Sequence, residues 1–461
     1  GPRTPLNRRT LVLLALVLVG LVGLGWLQRW FDPVVQPVLT SFARTAPPTA
    51  PTKIFVVLDT VRADRLSVCG YDRPTTPFLE RLAAAGASVS CGGVAPSPWT
   101  LPSHASYFTG TLVPEHHADF VAESGIALNG IPVNALGPDL PTLAEDLGAR
   151  GFQTAAVTGN LVVGPATGLV RGFEHARTPR RGYLREDLLL DELRGLLRHD
   201  LRRDGSPLFL FVNLIEAHQP YPAVPRGIDW APSRESIVFD FQDPEDPWQR
   251  FTTGAMPEAE RGPFLEHLGD VYDYGVSRAD TTLMRVLDEL EAHGWLASGS
   301  QLVITSDHGE YLGEHGLLEH GAYLWEPVIN VPLIVQDTRG NPTLPARVAA
   351  LEAYHLLRDD ALAGLPVLAT AQANPEWTQR SGGKVGAVTT AGQWDGPLKD
   401  LWMNGSTSRF DLSSDPGELH GTAIEPSQTL ETLARSMERT DEGQASDQML
   451  EMLKSVGYLD D

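Results

Sequence analysis

The stretch Lys53-Ile-Phe-Val-Val-Leu-Asp59 decides the fold class of this chain. Its five consecutive apolar residues are typical of a strand that is buried on both faces of a parallel sheet. The run ends in an aspartate, and sheets of this kind bind their ligands at the carboxyl ends of the strands. The stretch therefore predicts a central strand that carries Asp59 into a functional site.

Two later runs have the same design. One lies at residues 208–212, and the other, Gln301–Thr305, is followed by Asp307 and His308. Helical patterns separate the runs, at residues 77–85, 140–150, 183–201 and 271–293. Because strands alternate with helices, the sequence predicts an α/β fold with a doubly wound, mostly parallel sheet over residues 53–337.

The remaining segments of the body have weaker patterns. Residues 338–461 are predicted to form a smaller C-terminal α+β subdomain, with short strands near 385–389 and 398–403 and a helix at 447–459. Residues 226–263, rich in Pro, Asp, Glu and Trp, are predicted to be a surface insertion beside the site.

Composition excludes several classes of function. The chain has 461 residues, and 36 Lys and Arg against 58 Asp and Glu give a net charge of −22, which argues against a nucleic-acid binder. Two cysteines, Cys69 and Cys91, are too few for a disulfide-dense scaffold or a four-cysteine zinc module. They can form one disulfide in an oxidising compartment or stay as two buried thiols, and the sequence leaves both open.

The first 30 residues predict a membrane anchor. Arg3, Arg8 and Arg9 precede residues 11–27, which carry no charge and reach about 26 Å as a helix. The excess of arginine before the run predicts a single-pass protein with a cytoplasmic amino terminus and an extracytoplasmic body, periplasmic or at the cell surface. Residues 31–52, with five prolines, are predicted to be a stiff linker. A cleaved signal peptide is the alternative.

Three segments carry residue types suited to catalysis. They are Asp59-Thr-Val-Arg-Ala-Asp64, Pro98-Trp-Thr-Leu-Pro-Ser-His104 and Ser306-Asp-His-Gly-Glu310. Carboxylates and imidazoles at strand ends are typical ligands of divalent metals, so Asp59, Asp307 and His308 predict one metal site. For each residue taken alone, a structural role such as capping a helix is the alternative.

These segments resemble the sulfatase family of the alkaline phosphatase superfamily. The resemblance runs from Lys53 to about Val335, and it includes Gly70-Tyr-Asp-Arg-Pro-Thr-Thr-Pro77 and Glu216-Ala-His-Gln-Pro-Tyr221. A tail of the family's type follows at Arg409-Phe-Asp-Leu-Ser-Ser-Asp-Pro-Gly-Glu418. Several motifs in the same order make the resemblance specific, and it implies the family's fold and the hydrolysis of anionic esters.

The resemblance also implies a metal centre. Asp59, Asp307 and His308 match the family's metal ligands, and Thr100 falls where sulfatases have their nucleophile. With the Thr100 oxygen this set would be four-coordinate, which favours one divalent ion, Zn²⁺ or Mn²⁺, with Ca²⁺ as the third candidate.

Three histidines complete the implied catalytic set. His218 matches an active-site histidine of the family. His320 lies where sulfatases usually have a substrate-binding lysine, and His104 lies where they have an arginine. The structural alternative for each is a hydrogen-bonded core histidine.

The nucleophile departs from the family pattern. Sulfatases oxidise the first residue of Cys/Ser-x-Pro-Ser-Arg to formylglycine, whereas this chain has Thr100-Leu-Pro-Ser-His104. A threonine here resembles nucleotide pyrophosphatases, lipoteichoic acid synthases and phosphoethanolamine transferases, which attack phosphorus. A threonine hydroxyl is a weak nucleophile at neutral pH, and coordination by a divalent cation would activate it.

The sequence thus predicts a membrane-anchored, extracytoplasmic, sulfatase-like metallohydrolase that cleaves phosphate or sulfate esters. Two alternatives remain. One is a phosphotransferase that moves a lipid-derived head group, and the other is a catalytically inactive membrane scaffold.

Overall fold

The computed structural model describes residues 51–120, 126–128, 131–241, 243–296, 299–372 and 389–437. The predicted anchor, nearly all of the predicted linker, the helix at 447–459 and most of the strand at 385–389 lie outside these residues.

The described strands belong to one large sheet, one smaller sheet and two hairpins. In chain order they are β1 (Thr52–Leu58), β2 (Ser88–Val94), β3 (Ile126–Leu128), β4 (Ile131–Val133), β5 (Gln153–Thr158), β6 (His175–Arg177), β7 (Leu208–Leu214), β8 (Gln301–Thr305), β9 (Tyr311–Leu312), β10 (Leu318–Glu319), β11 (Asn330–Asp337), β12 (Val348–Ala349), β13 (Val367–Gln372), β14 (Thr389–Asp395), β15 (Leu398–Met403), β16 (Ser406–Asp411) and β17 (Thr422–Ile424).

The described α-helices, numbered in chain order, are α1 (Pro77–Ala84), α2 (Thr100–Thr109), α3 (Val113–His116), α4 (Leu143–Ala149), α5 (Glu186–Gly195), α6 (Pro247–Thr253), α7 (Glu258–Ala292), α8 (Glu326–Ile329), α9 (Glu352–Asp359) and α10 (Gln428–Met437). None of these described helices is both long and apolar enough to cross a bilayer.

The large sheet has the order β12-β2-β11-β8-β1-β7-β5-β6. Its strands run parallel except β11, which is antiparallel to both of its neighbours. The sheet is thus mixed and mostly parallel, as predicted. Val57 of the central strand pairs with Asn213 of β7 on one side and Thr305 of β8 on the other. Because these strands end level with one another, the residues after them meet at one edge.

Helices cover both faces of this sheet. Ile54, Val56 and Leu58 point into an apolar layer that includes α1, α5 and α7. Phe55 and Val57 point into a second layer that includes α2, α4 and α9. Burial on both faces is the reason that the run in β1 is continuously apolar.

The C-terminal part adds a five-stranded antiparallel sheet of order β13-β14-β15-β16-β17, against which α10 packs. The buried Lys399 of β15 ties it to the rest of the protein. Its ammonium donates to the Leu324 carbonyl and to the Glu418 carboxylate. The central sheet itself takes β12 from beyond residue 337.

Cys69 and Cys91 form a disulfide, with their Cα atoms 5.7 Å apart. The bond joins the short helical turn Ser67–Cys69 to strand β2. Of the two states that the sequence left open, the structure has the bonded one.

Candidate metal centre and active site

Asp59 lies directly after β1, and its side chain is fully buried. Two amides hold one of its oxygens. Asn160 Nδ2 donates to Asp59 Oδ2 at 2.9 Å, and Asn213 Nδ2 donates to the same oxygen at 3.1 Å. The other oxygen, Oδ1, is buried and accepts no hydrogen bond from the described residues. Asp59 is therefore fixed in place with one oxygen free.

Asp307 and His308 follow β8 at the same edge of the sheet. The backbone amides of Thr60 and His308 donate to Asp307 Oδ1 at 3.2 and 3.0 Å. Asp307 Oδ2 is buried and accepts no hydrogen bond from the described residues. The Gly309 carbonyl lies 2.8 Å from His308 Nδ1 and can only accept, so Nδ1 carries a proton and Nε2 is the nitrogen available to a metal ion.

These three residues are the group in the described part of the chain that could hold a metal ion. One donor atom from each lies within 4.8 Å of the others. Burial, together with the nearby Asp307, raises the pKa of Asp59 to about 7. Burial opposes a charge on His308, but the Asp307 carboxylate raises its pKa to about 9. His308 Nε2 lies 3.3 Å from Asp307 Oδ2. Two buried carboxylates beside this nitrogen fit a divalent cation, which would take the place of the proton on Nε2.

Thr100 is the first residue of α2, and it is buried. Its Oγ1 lies 3.4 Å from His308 Nε2, so the hydroxyl is next to one of the three candidate metal ligands. Tyr107, further along α2, donates to the Ser306 carbonyl at 2.7 Å and ties the helix to the loop that carries Asp307. The amino-terminal end of a helix also favours an anionic group.

His104, one turn after Thr100, is fully buried. Its Nδ1 lies 2.9 Å from the Thr100 carbonyl and 3.6 Å from Asp307 Oδ2. Because the carbonyl can only accept, Nδ1 carries the proton. Burial lowers the pKa of His104, so this imidazole is neutral and braces the start of α2 and the Asp307 carboxylate.

His218 and His320 line the other side of the site. The ring centres of His320 and His308 are 4.2 Å apart, and those of His218 and His320 are 5.2 Å apart. The Gln219 carbonyl accepts from His218 Nδ1 at 2.5 Å, which leaves Nε2 with the lone pair. Burial lowers the pKa of His218 to about 4, and burial with the nearby His308 lowers that of His320.

The structure thus brings together all seven residues that the sequence singled out: Asp59, Thr100, His104, His218, Asp307, His308 and His320. Two further residues have structural contacts instead. His315 stacks on Trp325, with ring centres 4.5 Å apart. The buried Arg62 pairs with Asp64 and Glu314.

Three residues that the sequence reading missed also belong to the site. Asn160 follows β5, and Asn213 is the last polar residue of β7. A polar residue at the carboxyl end of a recognisable strand was the signal available for Asn213. Glu310, inside a motif already noted, binds His320 Nδ1 through Oε1 at 2.7 Å.

Comparison with known proteins identifies the family and the fold. The family model described as Sulfatase matches residues 51–355, more than half of the chain. A structure solved with its substrate D-glucosamine-2-N,6-O-disulfate has a TM-score of 0.59 at 15% identity, covering 88% of this chain and 98% of that one. The phosphonate monoester hydrolase of Agrobacterium radiobacter has a TM-score of 0.56 at 17% identity, covering 89% and 96%.

A candidate sulfatase from Bacteroides thetaiotaomicron gives a TM-score of 0.57 at 15% identity, covering 87% of this chain and 96% of that one. At such identities the solved structures establish the fold, and the family model establishes the relationship. The chain belongs to the sulfatase family and is an ester hydrolase of that type.

Proposed function

We propose that the protein is a metal-dependent phosphoesterase in which Thr100 is the nucleophile. The observation that carries the proposal is the position of the Thr100 hydroxyl, 3.4 Å from His308 Nε2, beside the cluster that His308 forms with Asp59 and Asp307. An inactive scaffold would not require two buried carboxylate oxygens that lack a hydrogen-bond donor here, because each is costly to bury.

Asp59, Asp307 and His308 would hold the metal, with Thr100 as the fourth ligand. The ion would lower the pKa of the threonine hydroxyl and neutralise charge on the transferred group. An imidazole ligand and few oxygens favour Zn²⁺ or Mn²⁺ over Ca²⁺, which takes six to eight oxygen ligands. Both neighbouring asparagines support this choice, since they turn their NH₂ groups rather than their oxygens toward Asp59.

The reaction has two steps. Thr100 Oγ1 forms a bond to phosphorus while the bond from phosphorus to the leaving oxygen breaks. The threonine proton goes to solvent, and the leaving oxygen, on the opposite side of the phosphorus, takes a proton from a water molecule bound to His218 Nε2. In the second step a water molecule gives its proton to His218 Nε2 and attacks the phosphorus, the bond to Thr100 breaks, and the Thr100 oxygen takes a proton from solvent while His218 returns its proton to solvent.

Threonine in place of formylglycine supports phosphate over sulfate as the transferred group. An alcohol nucleophile leaves an ester on the enzyme that water must cleave at the transferred atom, as phosphoryl-transfer enzymes do. The anionic ester substrate must be attracted locally, because the net charge of −22 repels it at long range.

The location of the enzyme is a proposal as well. We infer that residues 1–30 anchor it and that the body lies outside the cytoplasm. The disulfide between Cys69 and Cys91 supports this, because such bonds persist in oxidising compartments.

Substitution of Thr100 tests the proposal. We expect Thr100→Ala to reduce hydrolysis of aryl phosphate esters by roughly three orders of magnitude or more, with the fold retained, and Thr100→Ser to keep part of the activity. Thr109→Ala, at the other end of α2, is the matched control. Mass spectrometry of quenched wild-type reactions should find a phosphoryl group on Thr100.

The substrate panel consists of aryl phosphate mono- and diesters, a phosphonate ester and an aryl sulfate, with metal-reconstituted protein. Near-normal turnover by Thr100→Ala would move the nucleophile to water. Cleavage of the sulfate far faster than every phosphoester would contradict the phosphoryl preference.

A further inference from the structure

Glu310 and His320 face each other across the open end of a short hairpin. Strands β9 and β10 pair so that Glu319 lies opposite Tyr311, which places Glu310 and His320 at the next position along. Glu310 Oε1 lies 2.7 Å from His320 Nδ1. The hairpin thus joins a fully buried carboxylate to an imidazole that lines the metal centre.

The second oxygen of Glu310 is also held. Tyr221 donates its hydroxyl to Glu310 Oε2 at 2.8 Å, and Tyr221 itself is buried. The backbone of Glu310 is fixed too, since Arg62 donates to its carbonyl at 2.9 Å. Glu310 therefore has little freedom, and it fixes the orientation of the His320 ring.

Tyr221 belongs to the same short motif as His218. Tyr221 contacts Glu310, and Glu310 contacts His320. The motif that contains His218 is therefore connected to His320, and both of these rings line the site. Arg185 completes the support on the His218 side by donating to the His218 carbonyl at 2.8 Å.

We propose that Glu310 is the positioning residue of His320, with Tyr221 holding Glu310, so that His320 Nε2 is turned toward the bound ester. The inference rests on the proposed function, because it assigns His320 to the substrate of the same site. A carboxylate that fixes an imidazole through one nitrogen leaves the other nitrogen for the substrate, which is the arrangement that hydrolytic triads use.

The test is a double-mutant cycle with Glu310→Gln and His320→Ala. Glutamine has one acceptor oxygen and one NH₂ group, so when its oxygen accepts from Tyr221 it presents only a donor to His320 Nδ1, which places the ring proton of His320 on Nε2. We expect Glu310→Gln and His320→Ala each to lower kcat for the preferred ester by roughly 100-fold. The double variant should be no slower than His320→Ala, because Glu310 acts through His320.

Tyr221→Phe provides a second route. It removes the hydroxyl that donates to Glu310 Oε2 and should lower kcat less than Glu310→Gln. The loss should vanish in the His320→Ala background. Melting temperature and bound metal are measured for every variant. Glu352→Gln, a change at a buried carboxylate that caps the Ala363 and Leu365 amides, is the matched control for burial.

Losses that multiply in the double variant would overturn the proposal, since they would show that Glu310 acts independently of His320. If Glu310→Gln does not fold, Tyr221→Phe tests the proposal instead: its loss of kcat should disappear in the His320→Ala background, and a loss that persists there would overturn the proposal. Full activity of His320→Ala, with Thr100→Ala inactive, would also overturn it while the proposed function stands. Inactivity of wild type on every phosphoester would instead be a failure of the proposed function.

Discussion

Asp59 is oriented by two amides, Asn160 and Asn213, whose donors converge on one oxygen. Neutral donors fix the carboxyl group without adding a positive charge beside it, so a bound cation would balance the charge of Asp59. Groups that orient a metal ligand in this way commonly account for about 10- to 100-fold in metal affinity.

Substitution of Asn213 should therefore weaken metal binding. We expect Asn213→Ala to raise the Kd for Zn²⁺ about 10- to 100-fold, because Asp59 loses one donor. Competition titration against a zinc chelator measures the change. Gln153→Ala is the control, since Gln153 is an equally buried amide at the opposite edge of the sheet, paired in register with the start of β7. An unchanged Kd for Asn213→Ala would show that Asn160 alone suffices.

His116 is a buried histidine away from the metal ligands, and burial lowers its pKa to about 3. Its ring accepts from the Ala118 amide at 3.0 Å and contacts Ser106. Between about pH 6.5 and about pH 3 the unfolded chain binds a proton here that the folded chain does not. The free energy of unfolding should therefore fall by about 1.4 kcal/mol for each pH unit lowered within that window.

His116→Asn keeps an acceptor near the Ala118 amide and cannot titrate. On lowering the pH from 6.5 to 5, it should lose about 2 kcal/mol less stability than wild type, as measured by urea unfolding of metal-free protein. The exposed neighbour His117 gives the control variant, His117→Asn. Equal pH dependence of wild type and His116→Asn would contradict the assignment.

At the scale of elements, the disulfide closes a loop with a sequence separation of 22 residues across the segment between β1 and α2. This loop includes α1 and leads into the start of β2. Since a cross-link restricts the unfolded chain, the entropy model gives about 3 kcal/mol for a loop of this size.

Cys69→Ser with Cys91→Ser should thus lower the free energy of unfolding by about 3 kcal/mol, with activity retained at low temperature. Urea unfolding of the oxidised wild type and the double variant measures this. The reduced wild type should behave like the double variant. Wild-type stability that does not respond to reductant would show that the cysteines are not joined in the protein.

Strands and helices were predicted well where the local sequence pattern determines them. They were predicted poorly where packing against neighbouring elements determines where they begin and end. The apolar run of β1 and the ends of β7 and β8 were recognised from the sequence alone. Helix α7 begins at Glu258, well before the predicted residue 271, although Pro263 lies inside it. Proline near the start of a helix removes only one backbone hydrogen bond, and tertiary packing compensates for it.

The predicted helix at 183–201 also differs from the structure. Helix α5 spans only Glu186–Gly195, followed by a π-helical turn, Leu196–Asp200. Tyr183 instead pairs with Asn160, and Arg185 reaches the His218 carbonyl. Tyr183 and Arg185 therefore lie outside the helix, although the helical pattern alone includes them. Their contacts with residues distant in sequence outweigh local helix propensity.

The same distinction explains the candidate site. Asp59, Asp307 and His308 could be predicted because each follows a recognisable strand, and the family motif added Thr100. Asn160 could not, because β5 has a weak apolar pattern, Gln-Thr-Ala-Ala-Val-Thr, and its place beside β7 depends on sheet order. Glu310 was visible in a motif, but its contact with His320 depends on how the hairpin of β9 and β10 pairs.

At the scale of the whole molecule, the chain enters the folded body at the amino end of β1, whereas the site lies at the carboxyl ends of the strands. Among the residues that the structure describes, those that build the two apolar layers all lie beyond Thr52. We therefore expect deletion of residues 1–50 to give a soluble, folded protein with the kcat and melting temperature of the intact chain in detergent.

The intact chain should sediment with membranes and be released by detergent but not by high salt, as expected for an apolar anchor. A mature protein that starts after residue 30 in its native host would contradict the anchor and favour a signal peptide. Loss of folding on deletion would instead show that residues before Thr52 contribute to the core.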